Sequence, residues 1–114
     1  MKRGDIWTVA GGSFYTTKPR PVLILQTDRH RHHESVTICP FTSDSTHAPS
    51  VRIPVFPSAT NGLTSPCWLM ADRLVTVPRE KLGSPVGRLD PVTLAELCRT
   101  VMLFLDLDPD PRGT

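Results

Sequence analysis

Proline is the residue that most restricts what this chain can fold into, since twelve of its 114 residues are proline. Proline lacks a backbone N–H and breaks a helix when it lies in the helix interior. The prolines are spread along the chain and separate short apolar runs that contain many β-branched residues. This pattern disfavours a helical bundle and predicts a mostly β domain of the α+β type.

Five or six short strands are predicted from these runs. They cover residues 6–9, 21–26, 35–41, 51–56, 67–70 and 74–77, and the last two form either one bent strand or two short ones. Pro54 lies inside the fourth run, which favours an edge strand or a bulge there. Strands of this number and spacing fit a small barrel better than a sandwich.

One helix is well marked in the last quarter of the sequence. Asp90 is a favourable N-cap, and Pro91 suits the first helical position. An apolar stripe of helical period follows, made of Leu94, Leu97, Cys98, Val101 and Leu105. Met102 and Phe104 widen the stripe, so this helix is either deeply packed or shared with a second subunit. A shorter helical turn is predicted at residues 78–82.

Length, charge and cysteines limit the classes of function. A chain of 114 residues predicts one domain, residues 1–114. The net charge is only +2, so a nucleic-acid surface requires local clustering of basic residues. Cys39, Cys67 and Cys98 are odd in number and widely spaced, which favours reduced core thiols over a disulfide scaffold or a zinc finger. With no apolar run of signal-peptide or membrane-span length, we expect a cytoplasmic protein with no membrane partner.

Arg20 is the first candidate for chemistry. Pro19 and Pro21 stiffen the backbone on both sides of it, and the apolar residues 22–25 predict a strand covered on both faces. A guanidinium keeps its charge and offers a flat fork of donors that suits phosphate. The alternative, an arginine held by a surface carboxylate, is the more common situation for an isolated arginine.

Thr42 is the second candidate, because it ends the run at residues 35–41. A hydroxyl placed where a strand leaves the sheet can face a ligand over the barrel mouth. The alternative is a threonine that closes a turn with its own backbone, as Ser, Thr and Asp clusters commonly do.

The order of several segments resembles the MazF/PemK family of toxin endoribonucleases. Those segments are Lys-Arg-Gly-Asp-Ile-Trp at 2–7, a Gly/Ser loop, Arg-Pro-Val-Leu-Ile-Leu at 20–25, Pro-Phe-Thr at 40–42, and the stretches 68–77 and 87–90 before the helix. The resemblance implies an SH3-like β-barrel of the CcdB/PemK type with a C-terminal helix. It also implies a homodimeric toxin that is paired with a cognate antitoxin.

The activity implied by the resemblance is cleavage of single-stranded RNA without a metal or other cofactor. Attack by the 2′-hydroxyl leaves a 2′,3′-cyclic phosphate and a 5′-hydroxyl, and Arg20 and Thr42 align with the family's catalytic residues. By charge, Arg20 would stabilise the phosphoryl oxygens, and Thr42 would hydrogen-bond the phosphate or position the 2′-hydroxyl.

RNA contacts are also predicted in the loop before Arg20. Phe14 and Tyr15, beside Thr17 and Lys18, would stack on unpaired bases. The alternative is that Phe14 folds inward and covers the end of the barrel.

A second basic segment follows the predicted strand at 21–26. Arg29, Arg31 and His32 would touch RNA phosphates, although incidental surface charge is the alternative. The histidine spacing at residues 30–33 matches no zinc pattern, so no metal site is predicted.

Two other functions remain open from the sequence. CcdB-like toxins share the predicted barrel and bind DNA gyrase without nuclease activity, but they act through an aromatic C-terminal ending, and no aromatic residue follows Phe104 here. An RNA-binding module of the same shape without catalysis is the third alternative.

Overall fold

A computed structural model of the chain describes residues 1–10, 18–30, 32–44 and 48–107. Seven strands lie in these residues: β1 (Asp5–Val9), β2 (Arg20–Ile24), β3 (Ser35–Thr42), β4 (Arg52–Val55), β5 (Cys67–Met70), β6 (Val75–Pro78) and β7 (Leu82–Arg88). One helix follows, α1 (Pro91–Leu105). Short 3₁₀ turns lie at Asp28–His30, Pro49–Val51 and Arg79–Lys81, and the last confirms the turn predicted near residue 80.

The sheet is antiparallel and is built around the long strand β3. β2 pairs along one edge of β3, with Leu23 opposite Cys39. On the other edge β6 pairs with the first half of β3, and β5 pairs with its last two residues. The order is β4-β5-β3-β2-β1-β7, and β4 and β7 are not paired with each other. The described residues therefore form a mostly antiparallel β fold with a C-terminal helix, in a sheet that does not close.

Both faces of β2 are covered, as its apolar sequence predicts. Leu23 belongs to the cluster that packs under α1, together with Leu97 and Val101. Val22 and Ile24 belong to a second cluster on the opposite face. Alternation of side chains along a strand sends neighbouring residues to opposite faces, so a strand this apolar requires two cores.

The edge position predicted for the run that contains Pro54 is confirmed, because β4 lies at one end of the sheet order. Of the two possibilities for the last predicted runs, the structure has two separate strands, β5 and β6. One strand, β7, was missed. β7 was not predicted because its sequence, Leu-Gly-Ser-Pro-Val-Gly-Arg, is typical of a turn. It pairs only with β1, through an irregular register, and an edge strand tolerates glycine and proline.

Helix α1 begins where the sequence predicts. The Asp90 carboxylate accepts a hydrogen bond from the Thr93 backbone N–H at 2.9 Å, and this N–H together with the Thr93 hydroxyl lowers the pKa of Asp90. Such a cap contributes about 1 kcal/mol. The packing is shallower than the wide apolar stripe suggests, since Leu103 is 75% exposed and Phe104 50% exposed. No helix in the described ranges is long and apolar enough to cross a membrane.

A turn after β4 bridges the two ends of the sheet. The Arg88 N–H of β7 donates to the Thr60 carbonyl at 2.9 Å. Gly62 has φ +70°, a conformation that side chains other than glycine rarely adopt, and it lies directly against Val86. The turn therefore lies close to β7. The chain then continues from this turn into β5.

Candidate functional site

Arg20 and Thr42 lie at the same end of the β2–β3 pair. Arg20 is the first residue of β2, and Thr42 is the last residue of β3. The register sets Val22 opposite Pro40, and the same register continued by two residues sets Arg20 opposite Thr42. Directly opposed residues of antiparallel strands have Cβ atoms about 5 Å apart. The fold thus brings together two residues that are 22 positions apart in the sequence.

An open groove of about 250 Å³ covers this end of the sheet. Arg20 and Pro21 line it from β2, residues 41–43 line it from the end of β3, and residues 63–67 line it from the segment before β5. Thr42 also lies opposite Trp68 of β5. The groove therefore crosses three strands, with Thr42 between Arg20 and the start of β5.

Of the described residues that line the groove, Arg20 is the only charged one. Its side chain is exposed, and it forms no hydrogen bond or ion pair within the described residues. Other arginines are engaged: Arg52 pairs with Asp72 at 3.5 Å, and Arg88 pairs with Asp5. The Arg20 guanidinium is thus a cation with all its donors directed to solvent or to a ligand in the groove.

Among the described residues, the Thr42 hydroxyl forms one hydrogen bond. It accepts from the backbone N–H of Asp44 at 3.1 Å, which is the turn-closing arrangement considered from the sequence. A hydroxyl carries one donor and two acceptor lone pairs. The contact with Asp44 therefore fixes the oxygen and leaves the hydroxyl hydrogen free to bond an anionic oxygen.

Three of the residues predicted to bind RNA lie in the described part of the chain, and these three do not form one surface. Lys18 is exposed, two residues before Arg20. Arg29 and His32 are exposed too, but they lie in the connection between β2 and β3, at the other end of that hairpin. Five strand residues separate the two ends, roughly 16 Å at about 3.3 Å per residue. Phe14, Tyr15, Thr17 and Arg31 lie outside the described residues.

The histidines of this connection are also distant from Arg20. The rings of His30 and His33 contact each other at a tilt of 57°, with centroids 4.7 Å apart. They cannot act as a general base at the groove, because they share the far end of the hairpin with Arg29. In the described part of the chain, no group of three His, Cys, Asp or Glu side chains is placed to hold a metal ion.

Residues 63–67 were not identified as part of the site from the sequence. Cys67 was assigned to the core, and residues 57–66 fall between two predicted strands. Their position depends on pairing of β5 with β3 and β4, which joins parts of the chain far apart in sequence. Only the fold shows that they face the same groove as Arg20.

The thiols in and behind the groove are held in their protonated form. Burial raises the pKa of Cys67, at the groove, to about 11. Burial raises that of Cys39, in the core, to about 12, and the nearby Asp72 carboxylate acts in the same direction. The Met70 carbonyl also lies 3.5 Å from the Cys39 sulfur. Neither thiol is a nucleophile at neutral pH, because the thiolate is the reactive form.

Stability is expected to fall in alkaline solution because of Cys39. The usual pKa of this thiol is 9.0 and its folded value is about 12, so above pH 9 the unfolded chain loses a proton that the folded chain keeps. Its contribution is complete below pH 9 and falls by up to about 1.4 kcal/mol per pH unit above it. Urea unfolding at pH 8 and pH 10 should show that the free energy of unfolding falls less for Cys39→Val than for the natural protein. An equal fall in both proteins would contradict the role of Cys39 in this pH dependence.

The fold and groove define a class: a small antiparallel β protein with a cationic groove suited to a phosphodiester. A family model described as PemK-like, MazF-like toxin of type II toxin–antitoxin systems matches residues 2–105. The chain belongs to this family. That match favours the nuclease interpretation over a CcdB-like gyrase binder.

Individual relatives agree with this membership. The chain is 45% identical over 107 residues to a probable endoribonuclease MazF of Mycolicibacterium smegmatis, covering 94% of this chain and 98% of that protein. It is 29% identical to endoribonuclease MazF9 of Mycobacterium tuberculosis, with the same coverage. Among solved structures, the Mycobacterium tuberculosis toxin MazF-mt6 superposes with a TM-score of 0.75 at 30% identity, covering 91% of this chain and 98% of that one. A mycobacterial endoribonuclease in complex with its cognate antitoxin has the same fold, with a TM-score of 0.74 at 24% identity, covering 95% of each chain.

Proposed function

We propose that this protein is the toxin of a type II toxin–antitoxin system and cleaves single-stranded RNA at the Arg20 groove. The observation that carries the proposal is the Arg20 guanidinium beside Thr42: among the described residues it has no partner, and no other described residue that lines the groove is charged. The family match and the endoribonuclease relatives support it. Sequence selectivity is part of the proposal, since a groove of this size contacts only a few nucleotides.

The chemistry needs no water as a reactant. The ribose 2′-oxygen attacks the adjacent phosphorus and loses its proton, while the bond from phosphorus to the 5′-oxygen breaks and that oxygen gains a proton. The products are a 2′,3′-cyclic phosphate and a 5′-hydroxyl. Negative charge grows on the phosphoryl oxygens in the transition state, and Arg20 is placed to stabilise it.

Thr42 and Arg20 take different roles in this reaction. Arginine stays protonated at any working pH, so Arg20 is an electrostatic stabiliser and a candidate proton donor to the leaving 5′-oxygen, not a base. The Thr42 hydroxyl, fixed by Asp44, donates to a phosphoryl oxygen or positions the 2′-hydroxyl. Lys18 extends the positive charge along the strand toward neighbouring phosphates, and Arg29 and His32 form a separate basic surface.

We also propose a homodimer that a cognate antitoxin inhibits in the cytoplasm. Exposed apolar side chains cluster in the last turn of α1, from Met102 to Leu105, and at Leu107 just after it, and they form the surface that a second copy would cover. An acidic antitoxin segment would pair with Arg20 and block the groove. The bridge between Arg88 and Thr60 supports an incompletely closed form of an SH3-like barrel.

Purified protein is expected to cut single-stranded RNA in the presence of a chelator. The cut should leave a cyclic phosphate, and 2′-deoxy substitution of the single nucleotide at the cut should abolish it, because the attacking oxygen is then missing. Mass spectrometry of the RNA ends measures both results. Cleavage of the 2′-deoxy substrate would show that the 2′-oxygen is not the nucleophile.

A gyrase supercoiling assay run beside the RNA assay separates the alternatives. The endoribonuclease proposal requires RNA cleavage with no effect on supercoiling. Inhibition of gyrase without RNA cleavage would support a CcdB-like activity instead. RNA binding without cleavage would indicate a non-catalytic module of the same fold.

A further inference from the structure

One side of the groove is a single stretch of chain, residues 63–67, which we call the groove wall. Thr42 separates it from Arg20, because β3 lies between β5 and β2 in the sheet. The wall carries no charge, and its middle residues Thr64, Ser65 and Pro66 are exposed. The groove is thus electrostatically divided, with a cation on one side of Thr42 and neutral hydroxyls on the other.

The start of the wall is held in place by Asn61, which is only 5% exposed. The Asn61 side-chain oxygen accepts from the backbone N–H groups of Ser58 and Leu63, both at 3.0 Å. Its amide nitrogen donates to the Phe56 carbonyl at 2.9 Å. A buried amide with this many bonds fixes the backbone at the first residue of the wall. A preorganised segment of this kind loses little entropy when it binds a ligand.

Unlike the Arg20 guanidinium, neutral hydroxyls are suited to base edges as well as to phosphate. Phosphates are bound most strongly by charged donors, whereas sequence is read through hydrogen bonds to base edges. A Ser or Thr hydroxyl can donate to a base or accept from it. Selective proteins read unpaired RNA by splaying single bases into such sites.

The size of the groove limits how much RNA it can hold. Pockets for small ligands span about 300–1,000 Å³, so an open groove of about 250 Å³ contacts only a few nucleotides at a time. The Cys67 thiol at its inner end is protonated and therefore adds no charge that would repel a base carbonyl.

We propose that the groove wall selects the base next to the cleaved phosphate, through the hydroxyls of Thr64 and Ser65. This inference rests on the proposed RNA cleavage and adds to it the part of the groove that sets sequence preference. Asn61 is a positioning residue in this arrangement, since it acts through the backbone of Leu63. The wall would make no contact with the phosphate that Arg20 binds.

The test compares the cleavage products of a random RNA pool for the natural protein and a Thr64→Val, Ser65→Ala double variant. At one position beside the cut, the preference for the favoured base should fall about tenfold, which corresponds to hydrogen bonds worth roughly 1.4 kcal/mol. Preferences at other positions should not change. Thr64→Ser, which keeps the hydroxyl, should retain the preference, and Thr76→Val removes a threonine hydroxyl on β6, outside the groove, as the matched control.

The outcomes distinguish this inference from the proposed function. Unchanged preferences in a variant that still cleaves RNA would overturn the role of the wall and leave the nuclease intact. An equal loss of cleavage at all sequences would also overturn it, since that pattern indicates phosphate binding or misfolding. Failure of the natural protein to cleave any RNA would overturn the proposed function and the inference with it.

Discussion

Replacing Arg20 by alanine is expected to lower the rate of RNA cleavage by a factor of about 10³. That factor corresponds to about 4 kcal/mol in the activation barrier and is typical of removing one charged or preorganised stabiliser of a transition state. No other described residue that lines the groove is charged, so no second cation in that part of the groove replaces the lost guanidinium. Single-turnover cleavage of a defined RNA measures the effect.

The fold should survive this substitution. Arg20 is exposed and forms no hydrogen bond or ion pair among the described residues, and such surface changes stay within about 0.5 kcal/mol of the natural stability. Thermal unfolding of the variant therefore separates a catalytic loss from a folding loss. Arg20→Lys should have intermediate activity, because lysine keeps the charge but loses the planar fork of donors.

Arg99→Ala is the matched control, since Arg99 is exposed on α1 and lies outside the groove lining. It should cut RNA at the natural rate. If Arg20→Ala cuts RNA as fast as Arg99→Ala does, a residue other than Arg20 stabilises the phosphate in the transition state.

Elements that depend on neighbouring residues were predictable from the sequence. Asp90 and Pro91 define the start of α1 through their own backbone chemistry, and the structure shows the helix beginning where they predict. The apolar run at 22–25 predicted a strand with two covered faces, because no other placement removes so many adjacent side chains from water. The pairing of Arg20 with Thr42 follows from these strands once their register is known.

Elements that depend on distant pairing were not predictable in the same way. β7 has the composition of a turn and becomes a strand only because β1 offers it an edge. The groove wall owes its position to Asn61 and to the pairing of β5. Arg29 is only nine positions from Arg20 in the sequence, yet the hairpin places the two at opposite ends. Proximity to Arg20 in the sequence therefore did not indicate which residues lie at the groove.

Replacing Gly87 by alanine is expected to destabilise the protein by about 3 kcal/mol. A Cβ at this position in β7 would collide with the backbone carbonyl of Asn61 and would lie 2.6 Å from the Thr60 oxygen. Backbone cannot rotate away as a side chain can, so the turn at 60–62 must shift. Overpacking costs about 1–3 kcal/mol, and disturbing the adjacent hydrogen bond from Arg88 to Thr60 adds about 1 kcal/mol. Urea unfolding measures the loss.

Gly83→Ala is the control within the same strand. The nearest atom to a Cβ there is the Thr8 hydroxyl oxygen at 2.5 Å, which belongs to a side chain that can change its rotamer. The Gly83→Ala substitution should therefore lower the free energy of unfolding by about 1 kcal/mol, mainly because it disturbs the hydrogen bond that the Thr8 hydroxyl accepts from the Ser84 N–H. Because the turn at 60–62 carries Asn61, Gly87→Ala should also weaken base preference in the RNA pool, while Gly83→Ala should not. Equal stability of the two variants would mean that the turn after β4 does not press against β7 in solution.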